Sequence, residues 1–501
     1  GRAEHTGHIA VMLLHVFILA AITSLCVAKT HPAAISSNCL DRYLRANGFD
    51  GSIDFPNSSS YSQAIDIDNR RAIQYPLLVV APMSEADISL SVLAAQVCNT
   101  SFSVLSGGHS ANGYCLARGG LTVDLSRYIK SVYMVSQGER DAEFYVEAGA
   151  LWEDIYKAAY ESRYVPIGGG CPTVGAGGFL LGGGWSFLSR SYGLACDNIV
   201  SMRVVLSNGS AVTASAEQNP ELFWGSKGGG GGNFGVVSSF IIKAPKPRSQ
   251  VMWIGELCWP PFDQPTVEQL WVWWLDYWPR MPTWMDIVPV WLLMEGQSNE
   301  EEQRMFCFTV VCNGDPESEC QPIIDPLVAR YPPETNSVAA TGFIPWQLAN
   351  VDVTDAQGGY LYLTSGILLP GAMTSSLAAR LTSALQHAPS KRNLILFHVG
   401  GGRIAEFPPN ATAFPHRDVQ LLIQIKGIWE NPDEEAENVA WVKHVRSIIE
   451  PYLSGSYLNY IDGLLEDWQQ AYYGVNYDRL VTLKRDIDPS NFFSFQQSID
   501  T

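Results

Sequence analysis

Residues 168–184 read GGGCPTVGAGGFLLGGG, and residues 103–110 read SVLSGGHS. The first stretch carries one thiol, Cys171, and the second one imidazole, His109, each inside a glycine-rich loop. Glycine alone combines access to positive φ with the clearance that lets a ligand lie against the backbone. Two such loops, each with a reactive side chain and separated by a stretch of α/β pattern, point to a large planar or phosphorylated ligand. They also point to a cofactor held by two covalent bonds.

Around the loops the pattern alternates short strands with helices up to about residue 245. YPLLVVAP (75–82) predicts a strand, and SEADISLSVLAAQVC (84–98) a helix with Ser84 as N-cap and Asp87 in a capping-box arrangement. SFSVLSG predicts a strand running into the His109 loop, LTVDLS and FYVEAGA further strands, and LWEDIYKAAYESR a helix. MRVVLSNGSAVTAS predicts a hairpin turning at Asn208-Gly209. APKPRS (244–249) reads as a linker. Beyond it tryptophans concentrate in residues 251–296, and the apolar segments FCFTVVC, GYLYLTSGIL, NLILFHVGG and DVQLLIQIKGIW predict a largely antiparallel α+β domain with helices on one face. WVWWLDYW has the density of a buried helix, so most of these tryptophans are assigned to the core rather than to stacking platforms for sugars or aromatics.

The net charge of −18 argues against nucleic acid or an anionic membrane as partner, since both select a basic surface. The glycine tracts do not form a nucleotide loop. No GxxxxGK[ST] is present, and although Gly230, Gly232 and Gly235 satisfy GxGxxG, the strand-like VVSSFIIK follows where a helix is required. No Cys/His cluster has metal-ligand spacing, so no metal is expected. VMLLHVFILAAITSLCVA (11–28) is apolar, ends in a small residue and lacks stop-transfer charges. Residues 1–28 are therefore read as a cleaved secretory signal with a non-native or partial start ahead of Met12, which removes Cys26 and leaves no membrane segment. The sequons at Asn57, Asn99, Asn208 and Asn410 fit a secreted glycoprotein, and Cys312 with Cys320 is placed to close the acidic loop NGDPESEC.

From about Tyr75 onward the chain resembles the berberine-bridge-enzyme-type flavin oxidases of the vanillyl-alcohol oxidase superfamily. The resemblance is carried by SVLSGGHS, GGLTVDLS (119–126), CPTVGAGG (171–178), YGLACDNI (192–199), LFWGSKGGGGGNFGVV (222–237), YLNYID (457–462), YYGVNYDRL (472–480) and DPSNFFSFQQSI. It implies a two-part FAD-binding domain, residues 40–245 with a C-terminal return at 450–501, and an antiparallel-sheet substrate domain over 246–449. It also implies bicovalent FAD, His109 bonding the flavin 8α-methyl carbon and Cys171 bonding C6; Cys115 and Cys196 lie off the attachment positions. Ser106, Gly107, Gly108, Ser110, Gly175, Gly177, Gly178, Gly235, Val237, Asn459, Tyr473 and Asn476 fall at cofactor-contacting positions. Val174 falls at the position that gates oxygen, where valine leaves the flavin edge open. Cys39 pairs with Cys98, and His416-Arg417 resembles a structural motif. Tyr460 matches the family's active-site tyrosine. Where sugar-oxidising relatives pair that tyrosine with a carboxylate, alignment on FHVGGG puts His398, whose near-neutral pKa suits it to take a proton. The implied function is a secreted, monomeric FAD oxidase that passes hydride from an alcohol or ring C–H of a small metabolite to flavin and reduces O2 to H2O2. The alternatives are an oligosaccharide oxidase acting at the anomeric carbon and a flavin dehydrogenase with another acceptor.

Overall fold

The computed structural model describes residues 37–260, 264–294, 303–349 and 359–501, so the expected signal segment lies outside the described residues. Among them the chain forms three sheets. The first has the spatial order Ser52–Asp54, Leu78–Ala81, Leu121–Asp124, Phe102–Leu105, with the last three strands parallel. Its VVA and LTV segments are buried throughout, as parallel strands covered on both faces must be. The crossover between the Leu78 and Phe102 strands is the helix Glu85–Val97, capped by Ser84, whose hydroxyl accepts from Asp87 N at 3.2 Å. The expected capping box does not close. The buried Asp87 carboxylate accepts instead from Met83 N (2.9 Å) and Asp50 N (3.0 Å), because those two backbone donors reach it inside the fold. The disulfide Cys39–Cys98 ties the helix Ser37–Ala46 to the end of this crossover, as the resemblance implied.

The second sheet is antiparallel, in the order Val132–Gln137, Asp141–Glu147, Val236–Pro245, Ile199–Val205, Ala211–Ser215. Its last two strands are the expected hairpin, with Gly209 at φ +79° in the turn. One apolar core joins both sheets to Tyr457, Tyr472, Tyr473, Leu480 and Phe493 near the C-terminus. That return is fastened by the buried Lys484, whose ammonium donates to Asn233 O, Phe493 O and the Asp488 carboxylate, each at 2.7 Å.

The third sheet has nine strands within residues 252–455, paired antiparallel throughout. Helices Gln264–Tyr277, Ser375–Gln386 and Glu435–Ile449 cover one face, where Trp271, Trp274, Trp291 and Trp429 are buried. These tryptophans are core, as read from the sequence. Cys312–Cys320 forms, and so does a cross-strand bridge between the register partners Cys258 and Cys307, which no sequence signal marked. The mixed α+β architecture therefore matches the expected class. Two buried arginines tie the third sheet to the rest. Arg190 donates to Met281 O, Pro282 O, Met285 O and Gly400 O, and Arg417 makes a bidentate pair with Asp197 at 2.8 and 2.9 Å.

Candidate active site

The His109 loop leaves the strand Phe102–Leu105, and the Cys171 loop enters the helix Ala176–Leu181. Their backbones touch. A Cβ on Gly107 would stand 2.2 Å from Gly175 N, and one on Gly175 would stand 2.3 Å from Gly107 N, so neither position admits a side chain. Ser106 Oγ and Gly177 N–H both donate to Ala148 O, at 2.7 and 3.1 Å, which staples the two loops to one carbonyl. This approach brings the two reactive side chains to a common point. His109 Nε2 lies 2.9 Å from Thr173 Oγ1, and Cys171 Sγ lies 3.1 Å from the same oxygen. Cys171 belongs to none of the three disulfides. Burial pushes the thiols of Cys115 and Cys196 up to about 12, which leaves both inert at neutral pH.

The loops open on a cavity of about 650 Å³, within the usual range of cofactor and ligand sites. Gly108, Ser110, Val174, Gly178, Gly235 and Val237 line it, together with Gly230–Gly232 of the second glycine tract. Ser110 Oγ is committed to Tyr114 N at 3.0 Å, which shapes the His109 loop. At Gly178 an added Cβ would find nothing within 4 Å, so the wall there is bare backbone facing open space. A thiol and an imidazole side by side on walls of glycine backbone fit a covalently held FAD.

The opposite wall is the uncovered face of the third sheet, including Glu256, Asp286, Val290, His398, Gln424 and Lys426. Tyr460 closes the gap from the turn Leu458–Tyr460, and its hydroxyl lies 3.0 Å from His398 Nε2. Burial, and then the nearby Lys426, push the imidazole down to about 4. At neutral pH the ring is therefore uncharged, and its Nε2 shares a hydrogen bond with the phenol. Asn459 holds the turn in place, donating to Phe179 O (3.0 Å) and to the Tyr457 hydroxyl (2.9 Å).

Two expected cofactor contacts do not line the cavity. Tyr473 is buried behind the glycine tract and donates to Gly229 O at 3.1 Å, while Asn476 Nδ2 donates to Pro409 O and Thr412 O. Tyr473 thus braces the glycine tract from behind, and Asn476 braces the segment around Pro409 and Thr412, which lies off the cavity. His416, with Nε2 on Ala471 O at 3.0 Å, is likewise structural. Sequence reading missed Thr173, although it lies inside the quoted run, and it missed Asp286. The Asp286 side chain is 3% exposed and its Oδ1 has no partner. Burial pushes this carboxyl up to about 7, against the opposing pull of Arg190.

A family model described as FAD binding domain matches residues 76–215, and one described as Berberine and berberine like matches residues 456–500. The chain is an FAD-linked oxidoreductase similar to the berberine bridge enzymes. An uncharacterized FAD-linked oxidoreductase of Bacillus subtilis, YgaK, is 29% identical over 88% of this chain and 94% of its own length. A xylooligosaccharide oxidase of Thermothelomyces thermophilus is 28% identical over 89% of this chain and 91% of its own. Among solved structures, Physcomitrella patens BBE-like 1 superposes with a TM-score of 0.80 at 24% identity, covering 92% of this chain and 98% of that one. In this berberine-bridge-enzyme-like chain no helix among the described residues is long and apolar enough to cross a membrane, and no metal-holding cluster occurs among them.

Proposed function

We propose that this oxidoreductase is an oxidase that removes hydride from an alcohol or ring C–H of a small organic substrate. Residues 40–245 and 450–501 would form the flavin domain and 246–449 the substrate domain. His109 and Cys171 would hold FAD, which would supply the hydride acceptor, with O2 as the final oxidant and H2O2 as its product. The observation that carries this reading is the 3.0 Å contact between Tyr460 and His398 on the cavity wall. The phenol donates its one proton to the neutral imidazole, which turns the lone pairs of its oxygen toward the cavity and a substrate hydroxyl. As hydride departs, the substrate hydroxyl becomes strongly acidic, and its proton moves to Tyr460 while the phenol proton moves to His398 Nε2. An isolated tyrosine with a pKa near 10 is a poor base, and His398, pushed down to about 4 rather than near neutrality as the sequence suggested, is a weak one. It therefore takes the phenol proton only in concert with loss of the substrate proton as hydride departs. Valine at 174, on the cavity lining, favours O2 over another electron acceptor.

Anomeric oxidation of an oligosaccharide to a lactone is a second reading, favoured by the polar Glu256, Gln424 and Lys426 on the substrate side and by the xylooligosaccharide oxidase relative. Secretion as a glycoprotein is supported by the exposure of all four sequon asparagines and by the three disulfides among the described residues. The test is H2O2 release across a panel of aromatic alcohols and xylo- and cello-oligosaccharides, read beside anaerobic flavin bleaching. Bleaching without peroxide would replace the oxidase with a dehydrogenase, and turnover confined to the sugars would select the second reading.

A further inference from the structure

We propose that Thr173 is a positioning residue for attachment of the flavin at Cys171, its hydroxyl relaying the thiol proton to His109. The proposal rests on the bicovalent reading above. One oxygen, Thr173 Oγ1, stands 3.1 Å from Cys171 Sγ and 2.9 Å from His109 Nε2. A hydroxyl carries one donor and two acceptor sites, so it can accept from the thiol and donate to the imidazole in a single chain. The thiolate, not the thiol, is the nucleophile, and an ordinary cysteine is largely protonated at neutral pH. Cys171 is 7% exposed, so water has little access to its sulfur, whereas Thr173 is exposed and its side chain carries no other hydrogen bond among those described.

The loop holds this geometry. Val174 O accepts from Trp152 N at 3.0 Å and Pro172 O from Glu153 N at 2.9 Å, so the residues on both sides of Thr173 are fixed to the helix Trp152–Ala159. The fixed backbone and the Gly107–Gly175 contact hold Thr173 between the two attachment residues. In the step it serves, the S–H bond breaks and its proton passes through Thr173 to His109 Nε2. The sulfur forms a bond to C6, the C6 hydrogen leaves as a proton, and two electrons enter the flavin ring and leave to O2, which departs as H2O2.

The test reads attachment rather than turnover. Purified holoprotein is denatured and treated with a thiol reagent, and a digest shows whether Cys171 is alkylated or bonded to flavin. Peptide mapping separates it from Cys115 and Cys196, which also lie outside the disulfides. In wild type Cys171 is expected to be blocked. In Thr173→Val, which keeps the side-chain shape, the rate of blocking should fall by about 10²–10⁴-fold, the usual size of a proton-transfer contribution. The His109 peptide should still carry flavin, which shows that the variant folds and binds FAD. Thr173→Ser, with its hydroxyl restored, should recover blocking, which a purely steric role would not predict. Full blocking of Cys171 in Thr173→Val at the wild-type rate would overturn the relay, as would failure of Thr173→Ser to recover it. An alkylatable Cys171 in wild type would instead sink the bicovalent reading on which the relay stands.

Discussion

Replacing Tyr460 by phenylalanine keeps the ring, including its edge contact with Tyr457 at 5.0 Å, and removes only the oxygen that faces His398. Substrate binding should therefore survive while flavin reduction falls. A positioned base contributes about 10²–10⁴-fold, so the anaerobic reductive rate constant should drop by that factor, equivalent to about 3–5 kcal/mol of barrier. His398→Ala should cost nearly as much alone and the double variant little more, because groups acting as one unit are not additive. The structure also fixes where the pH limb falls. Burial and Lys426 hold His398 near 4, so the wild-type reductive rate should rise through an apparent pKa near 4 that belongs to the Tyr460–His398 pair, and stay flat above pH 6. Lys426→Met removes the positive charge that disfavours imidazolium, and the limb should move to higher pH. The assay is stopped-flow bleaching of the flavin under anaerobic conditions across pH 3.5–8. Near-normal reduction in Tyr460→Phe would place the base elsewhere. A limb that ignores Lys426→Met would remove His398 from the proton path while leaving the tyrosine in place.

The covalent cofactor is checked by acid precipitation, where wild-type protein should give a yellow pellet. His109→Ala and Cys171→Ala should each keep one bond, and the double variant should release FAD to the supernatant. Val174→Leu should slow reoxidation by O2 far more than reduction by substrate, and equal effects on both half-reactions would return Val174 to simple packing. Asp286 gives a stability prediction. Its folded pKa of about 7 lies above the ordinary carboxylate value, so the folded state binds the extra proton and stability is lost as pH rises from about 4 to 7. The shift of about three units corresponds to roughly 4 kcal/mol. Asp286→Asn should flatten this part of the urea-unfolding profile, and an unchanged slope would show that the carboxyl is not buried uncompensated.

Much of the site was legible because its signals are local. A glycine loop, an N-cap serine or an Asn-Gly turn is decided by residues a few positions apart, and the strand, helix and hairpin readings before residue 245 rest on such features. The reading of Asp87 as half of a capping box used the same local logic and failed, because its carboxylate meets Asp50 N, 37 positions upstream. Tyr473 and Asn476 show the same limit, since a motif position does not say which side of a loop a side chain occupies. The Tyr460–His398 pairing came from resemblance, and its geometry was beyond local reasoning because the two residues are 62 positions apart.

What the sequence by itself determined is the chemistry on offer: one thiol and one imidazole in glycine loops, a tyrosine in YLNY, cysteines enough for disulfides, and an acidic chain with no nucleotide or metal motif. What only the tertiary structure decided is convergence. Gly107 against Gly175 brings His109 and Cys171 to the same hydroxyl. Residues 285–291 of strand Met285–Met294 are buried on both faces, with Ile287 and Trp291 toward the helices and Asp286 and Val290 toward the cavity. Such a strand lacks the polar–apolar alternation that would have told its faces apart, and neither Asp286 nor the Cys258–Cys307 bridge was visible before the sheet was assembled. Side-chain identity is written along the chain, but which side chains share a cavity depends on register and packing between segments hundreds of residues apart.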